Sequence, residues 1–242
     1  MNDWLIPLAI LIIAFLYSSV GHGGASGYLA LLAILQFAPD VMKPSALALN
    51  IIVSSIAFVP FARAGLFRFN LFWPFAITSV PMSFVGAGVH LDPATYGKVL
   101  GACLLVAVAR LFGVFGQWRG EVRPINTPLA MAIGASIGFV AGAIGIGGGI
   151  LLSPVLLLLR WCTAKEGAAI SALFILVNSA SGITRYWGKT DWITDDIPWW
   201  IMAAVIGGVL GSNIGAKRFT DIRLKQVLGA TLLFASLKLF LV

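Results

Sequence analysis

The 242 residues are 60% hydrophobic and only 10% charged, with a mean hydropathy of +0.98; a soluble domain carries about 25% charge, so the chain belongs in a bilayer. A formal charge of +7 and a pI near 9.8 would indicate nucleic acid in a soluble protein. In a lipid-embedded chain they fit basic loops beside anionic headgroups, which excludes nucleic acid as a partner.

The first element, MNDWLIPLAILIIAFLY, lacks a basic start and a small-residue cleavage site, so a retained helix is expected rather than a signal peptide. Apolar segments then run over 4–20, 28–37, 44–62, 70–90 and 95–114, and over 127–144, 149–161, 166–186, 197–216 and 224–241. Crossing the hydrocarbon core takes about 20 helical residues, with about 17 as a lower limit. Segments 28–37 and 149–161 are too short to cross unaided, which leaves eight to ten spans. Each follows a glycine cluster, GHGGASG from Gly21 and GIGGGI from Gly145. Glycine weakens a helix by about 1 kcal/mol relative to alanine, so both clusters should break the chain inside the membrane. Cys103 and Cys162 lie in or beside apolar segments, with neither a disulfide framework nor metal-ligand spacing.

The chain also reads as a repeat. VLGACLLVAVARLF at 99–112 matches VLGATLLFASLKLF at 227–240 at nine of fourteen positions, with Arg110 opposite Lys238. GHGGASGYLALLAIL aligns with GIGGGILLSPVLLLL, and SALALNIIVSS from Ser45 with SALFILVNSAS from Ser171. Three collinear matches define a first transmembrane repeat over 1–116 and a second over 126–242. The polar stretch GQWRGEVRPIN joins them, with 117–125 as a cytoplasmic linker.

Loop charges orient the halves. Arg63 and Arg68 make one loop basic, whereas its counterpart carries Asp191, Asp195 and Asp196 against Arg185 and Lys189. In the next pair, Asp92 and Lys98 cancel, whereas Lys217, Arg218, Arg223 and Lys225 outweigh Asp221. Basic loops stay cytoplasmic, so equivalent loops face opposite sides and the repeat is expected to be inverted. The linker, with Arg119 and Arg123, falls inside, and both termini fall outside the inner membrane. The expected fold is an all-α integral membrane protein of two inverted repeats, each with a glycine-broken helix pair meeting near the midplane.

In such folds the site lies where half-helix ends and unwound backbone meet. Free amides at a helix N-terminus, with the helix dipole behind them, hold anions. All nine acidic residues fall in loops or at segment ends. Cation and proton pumps commonly carry intramembrane carboxylates, so the cargo is expected to be neutral or anionic.

GHGGASGYLALLAI and GAIGIGGGILLSPVLLL, each followed by a Ser/Asn-bearing helix, resemble the sulfite exporter TauE/SafE family, as do SALFILVNSASG and VIGGVLGSNIGAKRF. The resemblance spans nearly the whole chain. It implies a small membrane transporter for sulfur-containing anions such as sulfite, thiosulfate or organosulfonates.

The candidate anion cradle comprises Gly21, Gly23 and Gly24 with Gly145, Gly147, Gly148 and Gly149; the alternative role of these glycines is close helix packing. Ser26 and Ser153, just inside the short helices, either donate to a ligand or bond back to their own helix. Asn50 and Ser54 share one helix face, and Asn178, Ser181 and Arg185 another, for ligand contact or for bonds between helices. Arg185 is placed at the entrance, attracting anions or snorkelling to the interface. His22 either binds or relays a proton, or hydrogen-bonds opened backbone; the second cluster has Ile146 there. Arg110 and Lys238 are read as anchors, and Trp192, Trp199 and Trp200 as an interfacial belt.

A secondary anion transporter working by alternating access is the leading expectation, with a passive anion channel through the same glycines as the alternative. An intramembrane hydrolase built on a serine and His22 lacks a GxS elbow and an orienting carboxylate. No GxxxxGK[ST] occurs, so ATP-driven transport by this chain alone is not expected. Neither a metal nor a cofactor is expected. The partners are a small anionic substrate and lipid, with room for a homo-oligomer.

Overall fold

The computed structural model describes residues 4–19, 21–114, 122–217 and, near the C-terminus, 232, 233, 236, 237, 239 and 240. Among them are α-helices and one 3-10 turn, with no strand. The helices are α1 (Leu5–Ser19), α2 (Ala25–Ile34), α3 (Pro39–Arg63), α4 (Phe69–Ala87), α5 (Pro93–Leu111), α6 (Thr127–Ile144), α7 (Gly149–Leu158), α8 (Ala164–Ile183) and α9 (Ile197–Lys217). Among the described residues, Pro39–Arg63, Thr127–Ile144 and Ala164–Tyr186 are long and apolar enough to cross a bilayer. Most of segment 224–241, with Lys238, lies outside the described residues, as do Asp3, Arg119 and the charges of 218–225.

Local chemistry sets most boundaries. Asn126 caps α6 by accepting from Leu129 N at 3.0 Å, and Thr163 opens α8 in a capping box with Glu166. Pro39, whose fixed φ suits a first helical position, starts α3 five residues before the apolar segment begins. That added turn contains Lys43, which hydropathy alone places between two apolar segments. The two short helices each start from a left-handed glycine, Gly24 (φ 95°) and Gly148 (φ 79°). Each runs ten residues, about 15 Å at 1.5 Å per residue, roughly half the hydrocarbon core. Their exits match too, with Gln36 (φ 61°) and Arg160 (φ 60°) both in the left-handed region.

The two sequence halves interlock. Helix α4 packs along α6, α1 along α9, and α3 crosses α8, with further contacts of α3 with α9 and of α4 with α8. Exchanging α1, α3 and α4 for α6, α8 and α9 maps this set of contacts onto itself. Small residues make the long seams. A Cβ on Gly134 would sit 2.6 Å from the Phe75 carbonyl, and on Gly138 or Gly142 it would strike the Ser79 or Ser83 carbonyl. Gly207 and Gly211 of α9 lie equally close to the Leu11 and Phe15 carbonyls of α1. Such contact lets helices associate in lipid through dispersion forces where hydrophobic burial gives no drive.

Large apolar side chains remain on the outside, among them Leu8 and Ile12 of α1, Ile77 and Phe84 of α4, and Leu210 of α9. In water such a surface would aggregate; in a bilayer it faces its solvent. Trp199 is half-exposed and stacks edge-on against Trp4 at 5.6 Å, as a belt residue should. Trp200 departs from the expected belt: it is buried against Phe37, because the 100° step along a helix turns it inward. Cys103 and Cys162 are buried free thiols.

Candidate functional site

The chain leaves α1 at Ser19 and returns through Gly21 (φ 77°) and Gly24 (φ 95°), held by His22 N donating to the Tyr17 carbonyl at 2.9 Å. After α6 the backbone turns through Gly145, Gly147 and Gly148, all at positive φ. Both turns and the helix starts beyond them are buried, from Gly21 to Ala30 and from Ala141 to Ile150. They meet where α3 crosses α8. A Cβ on Gly23 would land on the Asn50 side-chain oxygen and 3.0 Å from Ile175; one on Gly147 would lie 2.9 Å from Asn50 Nδ2 and 3.0 Å from Ile175. Asn50 and Ile175 thus stand between the two breaks, one from each half.

Asn50 ties the breaks together. Its Oδ1 accepts from Ala25 N, the first residue of α2, at 2.9 Å. Its Nδ2 lies 3.4 Å from the Ile146 carbonyl in the second break and 3.4 Å from Ser179 Oγ. A side-chain amide offers an acceptor and donors on one carbon, and the partners fix which end is which.

His22 provides a second tie. Its Nε2 lies 3.2 Å from Ser153 Oγ on α7, and Ser153 also bonds Ser171 of α8 and donates to the Gly149 carbonyl at 3.0 Å. Ser26 pairs with the Tyr17 hydroxyl at 2.6 Å. Helix dipoles place partial positive charge at the starts of α2 and α7. The backbone N–H groups of Ser26, Gly149 and Ile150 find no acceptor among the described residues. Between these groups lies a cavity of about 10 Å³, lined by Tyr17, His22, Ser26, Asn50, Ile146 and Ile175 among others. It has room for about one water, so the site is closed around its own polar groups.

The structure gathers His22, Gly23, Gly24, Ser26, Gly147, Gly149 and Ser153 around Asn50 and Ile175, sets Gly21 against Ala168, Gly145 against Lys43 and Gly148 against Phe174, and directs the others elsewhere. The Ser54 hydroxyl bonds back to the Asn50 carbonyl, and Ser181 donates to the Val80 carbonyl of α4 at 2.6 Å. Asn178 donates to its own helix at Phe174, and its Oδ1 is buried without a partner among the described residues. Arg185 sits in the 3-10 turn after α8, its guanidinium over the Phe84 ring at 5.6 Å. Ser179, unnamed in the sequence reading, is the residue of α8 that reaches Asn50. It lies one 100° step from Asn178, a difference that sequence spacing cannot resolve without knowing the helix face.

The model of a family described as Sulfite exporter TauE/SafE matches residues 6–239. A relative from Sinorhizobium fredii, "Probable membrane transporter protein y4hK", is 36% identical over 244 residues, covering 97% of this chain and 96% of its own. "Probable membrane transporter protein YunE" from Bacillus subtilis is 31% identical over 90 residues, covering 36% of this chain and 31% of its own. No solved structure matches significantly.

Proposed function

The chain belongs to the sulfite exporter TauE/SafE family, and we propose on that premise that it is a secondary transporter of a small sulfur-containing anion. Membership makes it a membrane transporter and not an enzyme. The family supplies the sulfur class; the observation that favours an anion is Asn50, whose Oδ1 accepts from Ala25 N at the start of α2 while its Nδ2 faces the second break. An amide oxygen there occupies the place that a sulfite or sulfonate oxygen takes at a helix N-terminus. Ser26 N, Gly149 N and Ile150 N supply further donors.

The two halves act as inverted repeats that rock about the α3–α8 crossing, in an inner membrane with both termini outside. Three collinear sequence matches and a contact set that survives exchange of the halves support the repeat, and the loop charges support its orientation. Alternating access needs a state closed at the substrate, and a cavity of about 10 Å³ between the breaks favours a carrier over an open channel. The test is flux of sulfite, thiosulfate and organosulfonates into proteoliposomes under imposed pH and voltage gradients. Accumulation against the anion gradient is expected. Dissipation only would leave a passive channel, and movement of none of the three would refute the substrate class.

A further inference from the structure

Lys43 is the one charged side chain that is buried among the described residues, at 4% exposure. Its Nζ lies 3.4 Å from the Val89 carbonyl and 5.1 Å from the centre of the Tyr96 ring. The sole salt bridge among the described residues is Arg68–Glu166, so no described carboxylate lies within 4.0 Å of Lys43. A buried ammonium is costly unless paired, and one long bond to a neutral carbonyl leaves donors over for a ligand.

Those donors have space in front of them. A cleft of about 360 Å³ opens on Lys43 between the start of α3, the end of α4 and the 185–192 loop. Its charged lining is Lys43, Arg185 and Lys189 against Asp40 and Asp191, with His90 beside them. The floor touches the second break: a Cβ on Gly145 would sit 3.0 Å from Lys43 Cα and 3.2 Å from its carbonyl oxygen. At the first break the corresponding neighbour of Gly21 is Ala168 of α8, 2.9 Å from the added Cβ and 3.2 Å at its carbonyl. The cation therefore stands at one mouth, and at the other the residue against the glycine carries only a methyl group.

We propose that Lys43 is the docking cation of an anion vestibule at the α3 mouth, holding a sulfur oxyanion in the cleft before it reaches the glycine breaks. Arg185 and Lys189 lie nearer the rim and draw the anion in. The vestibule rests on the transport reading for its purpose, though not for its detection. Ala168 at the opposite break makes the two mouths unequal, so substrate entering from the α3 side is recognised at lower concentration than substrate entering from the other.

Trp192 lines the same cleft and serves as the reporter. Detergent-purified protein is titrated with sulfite and, in parallel, chloride, and the signal of a Trp192→Phe variant is subtracted. A saturable sulfite signal is expected, retained in Lys43→Arg and weakened about tenfold or more in Lys43→Gln and Lys43→Met. Each variant is first shown to elute and melt as the parent does. In proteoliposomes Lys43→Gln should raise KM for anion presented at the α3 mouth by a similar factor and leave kcat within about twofold. No saturable signal in the parent, or parental affinity in both Lys43→Gln and Lys43→Met, overturns the vestibule. Binding without flux in the parent overturns the transport reading and leaves the vestibule standing, whereas normal flux kinetics in Lys43→Gln overturns the vestibule alone.

Discussion

His22 Nε2 lies 3.2 Å from the hydroxyl of Ser153, so the first glycine break is bonded to the short helix that follows the second. The two residues are 131 positions apart, and both are almost wholly buried. Under the alternating access proposed above the two breaks separate for substrate to pass, which would make this bond a latch whose strength enters the cost of opening.

His22→Ala deletes the bond and leaves a hole beside Ser153. A loss of about 2 kcal/mol is expected from the missing partner and the void, read as a lower melting temperature in detergent, with sulfite flux shifted by about threefold or more because the cost of opening changes. His22→Gln, which keeps polar atoms at a similar reach, should recover most of the stability. Wild-type flux in His22→Ala would assign the ring to scaffolding.

Asn50 can be tested by splitting its two ends. Asn50→Leu strips partners from Ala25 N and the Ile146 carbonyl, at about 1–3 kcal/mol for each buried group, so poor folding is expected. Asn50→Asp keeps the acceptor for Ala25 N and replaces the donors with negative charge. It should be destabilised at the Ile146 carbonyl, and the fraction that elutes as the parent does should bind sulfite at least tenfold more weakly, measured by calorimetry. Unaltered binding would remove Asn50 from the anion site.

The break glycines and the loop glycines should respond differently. A Cβ at Gly148 meets the Phe174 ring at 2.8 Å as well as a φ of 79°, whereas Gly188, at φ 78°, has nothing within 4 Å. The left-handed conformation costs an L-residue about 1–2 kcal/mol. Gly188→Ala should therefore lose about that much stability and keep flux. Gly148→Val and Gly23→Val, the latter striking Asn50, should abolish flux in a proteoliposome assay. Equal effects at all three positions would count against the cradle.

The helix seams offer a paired control in neighbouring residues. Gly207 presses on the Leu11 carbonyl of α1, whereas a Cβ on Gly208 would make ordinary contacts at 3.5–3.7 Å. Gly207→Ala should lower stability by about 1–3 kcal/mol through overpacking, and Gly208→Ala should be neutral or better. Thermal melts of the two variants decide it. The same contrast is expected from Gly142→Ala, which meets the Ser83 carbonyl.

Much of the site was legible because glycine and hydropathy act locally. GHGGASG and GIGGGI broke their helices where expected, and the short elements beyond them are ten residues each. Asn50 and His22 stand out in the sequence as polar side chains in or facing an apolar run. Ser54 and Ser181 went elsewhere because a hydroxyl in lipid bonds to whichever carbonyl is nearest, on its own helix or the next. Ser179 and Lys43 escaped notice for related reasons. One required the rotation of α8, and the other required that Pro39 start α3 a turn early.

The sequence alone determined that this is a membrane protein of the TauE/SafE family, with two glycine-broken helices and no acidic residue in mid-span. Each of those properties belongs to a residue or a short run of residues and needs no neighbour to hold. It took the packed bundle to place Asn50 between the breaks, to bring His22 to Ser153, and to set a lysine rather than an alanine against Gly145. These depend on the crossing of α3 and α8, which brings together groups about half the chain apart. That crossing is set by packing across the whole bundle, a sum over contacts that no local pattern records.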